Sequence, residues 1–200
     1  LKLGLMDQKQ ILDHYQEIKQ RVREVSLEVT SRRPLSDIKE VAASIEACSE
    51  TKKSPKPASE EQRKLLFARE WDKLKSPQHM AKLLNWGLND LMLQYPTSLV
   101  FGEDVAEKGG VYHVTDNLKK RFRSRRVFNS PLDEQSILGT AIGLAHNGFL
   151  PIPEIQFLAY VHNAEDQIRG EAATLAFFSQ GQFTNPCLLY TSDAADDDRG

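Results

Sequence analysis

The stretch from Asn129 to Tyr160, NSPLDEQSILGTAIGLAHNGFLPIPEIQFLAY, changes its apolar period three times and so restricts the folds open to the chain. Arg126 to Phe128 ends an extended run, Gln135 to His146 repeats at helical spacing, and Ile152 to Phe157 is extended again. Gly139, Ala141, Gly143 and Ala145 let the helix backbone come close to a neighbour, and Gly148 suits its C′ position. Upstream, Gln78 to Leu93 reads as a helix burying Met80, Leu83, Leu84, Leu88, Leu91 and Met92. It is started by Ser76 and Pro77 and followed by a short apolar strand, Ser98 to Phe101. A last helix is expected from Asn163 to Phe178. Helices alternating with strands predict an α/β fold with a mainly parallel sheet, preceded by a helical segment.

That helical segment begins with an amphipathic helix from Asp7 to about Thr30, carrying Ile11, Leu12, Tyr15, Ile18, Val22, Val25 and Leu27. A second helix is expected from Ser36 to Ile45, with Asp37 near its positive end. Ser49 to Pro57, SETKKSPKP, has no large apolar residue and reads as a solvated linker. Ser59 to Leu74 is again helix-prone, with Leu65, Leu66, Phe67 and Trp71 as its apolar side.

The chain is 40% apolar and 27% charged, which describes a globular protein, and no run approaches the roughly 18 apolar residues of a membrane span. The expected compartment is cytoplasmic, or the mitochondrial matrix of a eukaryote. A formal charge of −2 argues against a general nucleic-acid binder, and the basic run Lys119 to Arg126, KKRFRSRR, reads as a solvated face. The only cysteines, Cys48 and Cys187, have no metal spacing, so no metal site is expected.

Chemistry is expected where parallel strands end at their carboxyl sides. Glu134 stands at a helix start behind Asp133 as N-cap, an arrangement that the helix dipole alone explains. Gln156 and Tyr160 follow the next strand and could converge with Glu134 on one crevice. Glu103 ends the first strand, where a surface acid is equally natural. His146 and His162 are read as structural.

Four segments in order, FGEDVAEKGGVYHVTDNL (Phe101 to Leu118), FNSPLDEQSILGTAIGLA (Phe128 to Ala145), EIQFLAYVHNAEDQI (Glu154 to Ile168) and FFSQGQFTNP (Phe177 to Pro186), resemble the β-type, pyrimidine-binding half of the thiamine-diphosphate-dependent 2-oxoacid dehydrogenases. The resemblance runs from about Met80 to Pro186 and implies part of a transketolase-like pyrimidine-binding domain. It assigns Glu134 to a hydrogen bond with a ring nitrogen of the cofactor's aminopyrimidine, the contact that activates the cofactor, and implies a carboxyl that resists ionisation. It assigns Tyr160 to stacking on that ring, Gln156 to a polar pocket position, the Leu132 backbone to the ring's amino group, and Glu103 to a proton path between paired sites. The implied cofactor is thiamine diphosphate, with magnesium held by an α-type half that the chain does not contain. The implied partners are a 2-oxoacid, branched-chain or pyruvate, the lipoyl domain of an acyltransferase component, and further copies of the parent protein, with no nucleic acid and no membrane.

Residues 1–48 resemble the helical end of that α-type half, which implies a fused parent chain with residues 49–58 as linker and 59–186 as the first part of the pyrimidine-binding domain. An opening at Leu1 without Met reads as a piece cut from a longer frame, inactive by itself. Residues 187–200, CLLYTSDAADDDRG, resemble a translated sequencing adapter and are expected to be a non-native tail outside the fold. A transketolase-type thiamine enzyme is the alternative within the same class. A non-catalytic helical interaction module, with Asp7 to Ile45 binding a partner, is the alternative outside it.

Overall fold

The computed structural model describes residues 6–43 and 55–193. It divides into two compact units, Leu1–Ala43 and Ser44–Gly200. Cys48, Ile45 and most of the expected linker lie outside the described residues, as does the end of the chain after residue 193.

In the first unit, helix α1 spans Gln8–Ser31 and starts with a capping box. The Asp7 side chain accepts from Gln10 N, and the Gln10 side chain accepts from Asp7 N. Ile11, Tyr15, Ile18, Val22, Val25 and Val29 recur at alternating spacings of four and three, and all are exposed. Helix α2, Ile38–Ala43, follows a bend held by Arg33, which bonds Ser36 and pairs with Glu40.

The second unit starts at α3, Glu60–Phe67, capped by Ser59 and Gln62. The sequence reading runs this helix on to Leu74, but Ala68 adopts a φ of +44° and the chain tightens into a 3₁₀ segment over Ala68–Lys75. This turns Phe67 inward and leaves Leu65 85% exposed, contrary to its expected apolar role. Helix α4 spans Met80–Gln94 and begins behind His79, because Ser76 closes the 3₁₀ segment and starts no helix. Its buried face also differs from expectation, since Met80, Leu83 and Leu84 are exposed while Asn85 and Asn89 are buried. Hydrogen bonds account for the exchange. Asn85 Nδ2 donates to the carbonyls of Val114 and Asp116, and Asn89 Oδ1 accepts from Arg121.

Strand β1 is Ser98–Gly102, helix α5 is Leu118–Phe122 and strand β2 is Val127–Asn129. Helix α6, Glu134–His146, leads to strand β3, Leu150–Ile155. After two irregular helical segments comes α7, Leu175–Phe178, and then strand β4, Tyr190–Thr191. The sheet order is β2-β1-β3-β4 and every pairing is parallel, with Val100 opposite both Val127 and Ile152. The fold is therefore α/β, as the alternation of periods predicts.

Alternation along β1 supplies both sides of the sheet. Val100 packs with Met92, Leu118 and Ile152 in one core cluster, while Leu99 and Phe101 pack with Ile137 and Ala141 of α6 in another. Phe101 is fully buried and stacks on Phe128 at 5.1 Å between ring centroids. Burying a ring of that size contributes about 2–3 kcal/mol. The basic run is put to structural use. Arg126 donates to the carbonyls of Met92, Tyr95 and Ser98, closing the end of α4 onto the start of β1, and Arg121 turns inward to Glu70 and Asn89.

Three local expectations change. Strand β3 stops at Ile155, so Gln156 and Phe157 stand beyond the expected strand, and the acidic Glu154 within it is fully buried. The segment read as one helix from Asn163 to Phe178 is a 3₁₀ turn at Leu158–Ala164, a π turn at Gln167–Ala172 and the short α7. Residues 187–193, expected outside the fold, lie along β3. Leu188 N donates to Pro151 O at 3.1 Å, Ser192 N to Gln156 O at 3.2 Å, and β4 pairs with Glu154 and Ile155. An apolar run satisfies the backbone groups that the edge of β3 would otherwise present unpaired.

Candidate functional site

Parallel strands bring their carboxyl ends to one edge of the sheet, and the loops leaving β1, β2 and β3 meet there. The first two are tied to one another by hydrogen bonds. Ser130 N donates to Gly102 O at 2.9 Å, and Asn129 Oδ1 accepts from Ala106 N at 2.8 Å.

Glu134 is the first residue of α6 and is 9% exposed. Asp133 occupies the N-cap position, but its side chain bonds Ser136 Oγ and caps no backbone N–H. Glu134 Oε2 accepts a hydrogen bond from Asn163 Nδ2 at 3.2 Å. Across the edge, Gln156 Nε2 donates to the Glu103 carbonyl at 3.4 Å, joining the ends of β3 and β1. The Glu103 carboxyl is pushed above the usual range, first by burial and then by the charges of Asp104 and Glu134, against the opposing charge of Lys108. Glu134 and Glu103 thus share one electrostatic environment.

Tyr160 is 47% exposed and sits edge-on to Phe157 at 5.4 Å, which is itself edge-on to Tyr112 at 6.3 Å. Leu132, in the loop before Glu134, is 69% exposed, and Leu158 is 64% exposed. The edge therefore combines a buried carboxylate with an exposed apolar rim, a surface suited to a ligand or a partner. Of the residues singled out from sequence, Glu134, Glu103, Gln156 and Tyr160 come to this edge, and Leu132 lies in the loop that leads to Glu134. His146 and His162 are exposed, and the His146 ring lies 5.4 Å from Phe183. Among the described residues, no cluster of three or more His, Cys, Asp or Glu could hold a metal, and no helix is long and apolar enough to cross a membrane.

Sequence reasoning misses Asn163, Phe157, Tyr112 and Glu154. Asn163 and Tyr160 are three residues apart in a 3₁₀ turn, whose three residues per turn set the pair on one side. Glu154 sits beneath the glycine turn at 109–110. A Cβ on Gly110 would lie 3.1 Å from its Oε1, and neither carboxylate oxygen has a hydrogen bond of good geometry. Burial raises its pKa, although the nearby hydroxyls of Tyr190 and Ser192 act the other way.

The architecture is that of an α/β domain whose parallel strands end around an acidic residue at a helix start. Residues 76–177, just over half of the chain, match the family described as "Transketolase, pyrimidine binding domain", and the chain belongs to that family. Curated relatives agree. The chain is 47% identical over 91 residues to the pyruvate dehydrogenase E1 component subunit beta of Bacillus subtilis, covering 46% of this chain and 28% of the relative. It is 42% identical over 112 residues to the protein of the same name from Staphylococcus epidermidis, covering 56% and 34%. It is also 42% identical over 110 residues to the 3-methyl-2-oxobutanoate dehydrogenase subunit beta of Mycobacterium tuberculosis, covering 55% and 32%. The chain spans about a third of the length of these relatives.

Proposed function

We propose that this chain forms the pyrimidine-side wall of a thiamine diphosphate site in the decarboxylating component of a 2-oxoacid dehydrogenase complex. The observation that carries the proposal is Glu134, buried at the start of α6 with one carboxylate oxygen bonded and the other free of hydrogen bonds among the described residues. Tyr160 is exposed in the 3₁₀ turn that carries Asn163, and Leu132 is exposed in the loop before Glu134. An aminopyrimidine offers ring nitrogens and an amino group as hydrogen-bonding partners and two flat apolar faces, and these residues fit that chemistry.

In this reading Glu134 holds or gives a proton at the ring nitrogen, Tyr160 supplies the stacking face, and Gln156 braces the crevice floor through the Glu103 carbonyl. The Leu132 carbonyl is available to the ring's amino group, and Glu103, whose carboxyl feels the charge of Glu134, is the position read as part of a proton path between paired sites. When bound, thiamine diphosphate supplies the electron sink for loss of carbon dioxide from a 2-oxoacid. Magnesium would be held by an α-type half outside this chain.

The names of the relatives, pyruvate dehydrogenase and 3-methyl-2-oxobutanoate dehydrogenase, support a 2-oxoacid as substrate. The acyl product would pass to the lipoyl domain of an acyltransferase component. We read residues 1–48 as the helical end of an α-type half, 49–58 as a linker, 59–186 as the start of the pyrimidine-binding domain and 187–200 as a non-native tail whose apolar start lies along the edge of β3. The exposed apolar stripe of α1 supports the first assignment, because such a face requires a covering surface. The parent is then a fused chain that oligomerises in the cytoplasm.

Glu134→Gln in the intact protein tests the proposal. Decarboxylation of pyruvate and of 3-methyl-2-oxobutanoate is lost while the melting temperature is kept. Near-normal turnover would overturn it, and transfer of two-carbon sugar fragments would point to a transketolase-type enzyme.

A further inference from the structure

We infer that Asn163 is a positioning residue for Glu134, holding one carboxylate oxygen so that the other is presented to the ligand. The inference rests on the thiamine reading above for the identity of that ligand.

Asn163 belongs to the 3₁₀ turn Leu158–Ala164, whose next residue, Ala164, is fully buried against Leu138 of α6 and Ile155 of β3. Leu138 lies one helical turn after Glu134, so the packing that seats the turn and the hydrogen bond from Asn163 act on the same helix in register. The turn is also held by Tyr160 N donating to Phe157 O at 2.9 Å. Apolar packing and backbone bonding thus fix the turn without help from the Asn163 side chain, which is exposed except for its bond to Glu134.

Among the described residues that bond is the one side-chain hydrogen bond made to Glu134, and Glu134 forms no ion pair. Glu103, of like sign, feels its charge. The donor's chemistry suits the task. A carboxamide N–H fixes a carboxylate oxygen but neither takes nor releases a proton near neutral pH, so proton exchange stays with Glu134 and the ligand. Because 3₁₀ winding sets Tyr160 and Asn163 on one side, the same turn sets the aromatic face and the orientation of the carboxylate.

The test compares Asn163→Asp, which keeps the shape and polarity but loses the donor and adds a like charge, with Asn163→Leu, which keeps the branching but replaces both polar groups by methyls and adds no charge. In the intact protein, kcat for the 2-oxoacid falls about tenfold in Asn163→Leu and about a hundredfold in Asn163→Asp, while KM changes less than about twofold. Both variants keep the parental melting temperature and bind thiamine diphosphate calorimetrically within about tenfold of the parent. In nuclear magnetic resonance spectra of the unsubstituted protein, the Asn163 side-chain amide signals shift on Glu134→Ala. A merely structural role predicts the reverse order, with the isosteric Asp variant the milder. That order, unshifted amide signals, or kcat within twofold of the parent in both variants while Glu134→Gln is inactive, would each overturn the inference and leave the thiamine reading standing. Full activity of Glu134→Gln instead removes the thiamine reading, and the amide shift then still reports on the hydrogen bond.

Discussion

Glu103 and Glu134 leave different strands and sit close enough that the charge of one raises the pKa of the other. Burial is the larger cause of the raised Glu103 carboxyl, with Asp104 next and Glu134 third. Replacing Glu134 by Gln removes one of those charges, so the Glu103 titration, followed by carbon nuclear magnetic resonance of its carboxyl, moves down toward the usual range. An unmoved titration would separate the two carboxylates and with them the proton path.

Glu70 gathers three donors. It accepts from Trp86 Nε1 at 3.1 Å and Arg121 Nη2 at 3.0 Å and pairs with Lys82 Nζ at 2.7 Å. Burial alone would raise its pKa, but the hydrogen bonds from Lys82 and Trp86 and the charges of Lys82 and Arg121 outweigh it and hold the carboxyl at about 2. A depressed acid stabilises the fold above its unfolded value and loses that contribution as pH falls toward the folded one. Glu70→Gln therefore lowers stability at pH 7 by about 1–2 kcal/mol, with the difference from the parent shrinking between about pH 4.5 and pH 2, as urea unfolding at several pH values will register.

Glu154 has the opposite sign. Its raised pKa means that its contribution is fully present below the unfolded value and is lost as pH rises through the folded one. Glu154→Gln keeps the shape without the charge, so thermal unfolding at pH 7 shows a gain of about 1 kcal/mol that disappears at acid pH. A loss at pH 7 would mean that the ionised carboxylate is needed in the fold.

Two glycines should respond oppositely to alanine. Gly110 has a φ of +73°, and its Cβ would press on Glu154 Oε1 at 3.1 Å, so Gly110→Ala costs about 1–2 kcal/mol. Gly143 lies within α6 and its Cβ would meet nothing within 4 Å, so Gly143→Ala stabilises the helix by about 0.5–1 kcal/mol. Denaturant midpoints of the two variants, measured side by side, decide this. A loss at Gly143 would show that the open face of α6 is covered in solution.

The sequence determined the parallel α/β plan, because a strand cannot hide the 3.6-residue period of Gln135 to His146, nor a helix the extended runs on either side of it. It also marked Glu134, since an acid at the start of a helix following a strand has few places to go in such a fold. What it could not determine were features set by partners distant in the chain. Asn85 is buried because the loop carbonyls of Val114 and Asp116 arrive about 30 residues later, Asn89 because the Arg121 guanidinium does, and Arg126 leaves the basic run because carbonyls await it at the end of α4. Glu154 went inward because β3 is flanked on both sides and covered by the glycine turn. Asn163 reaches Glu134 from a 3₁₀ turn that Ala164 seats against Leu138 and Ile155, a contact between segments that no local pattern marks. Local periodicity is written residue by residue, whereas hydrogen-bond satisfaction and burial belong to neighbours in space, and only the tertiary structure decides who they are.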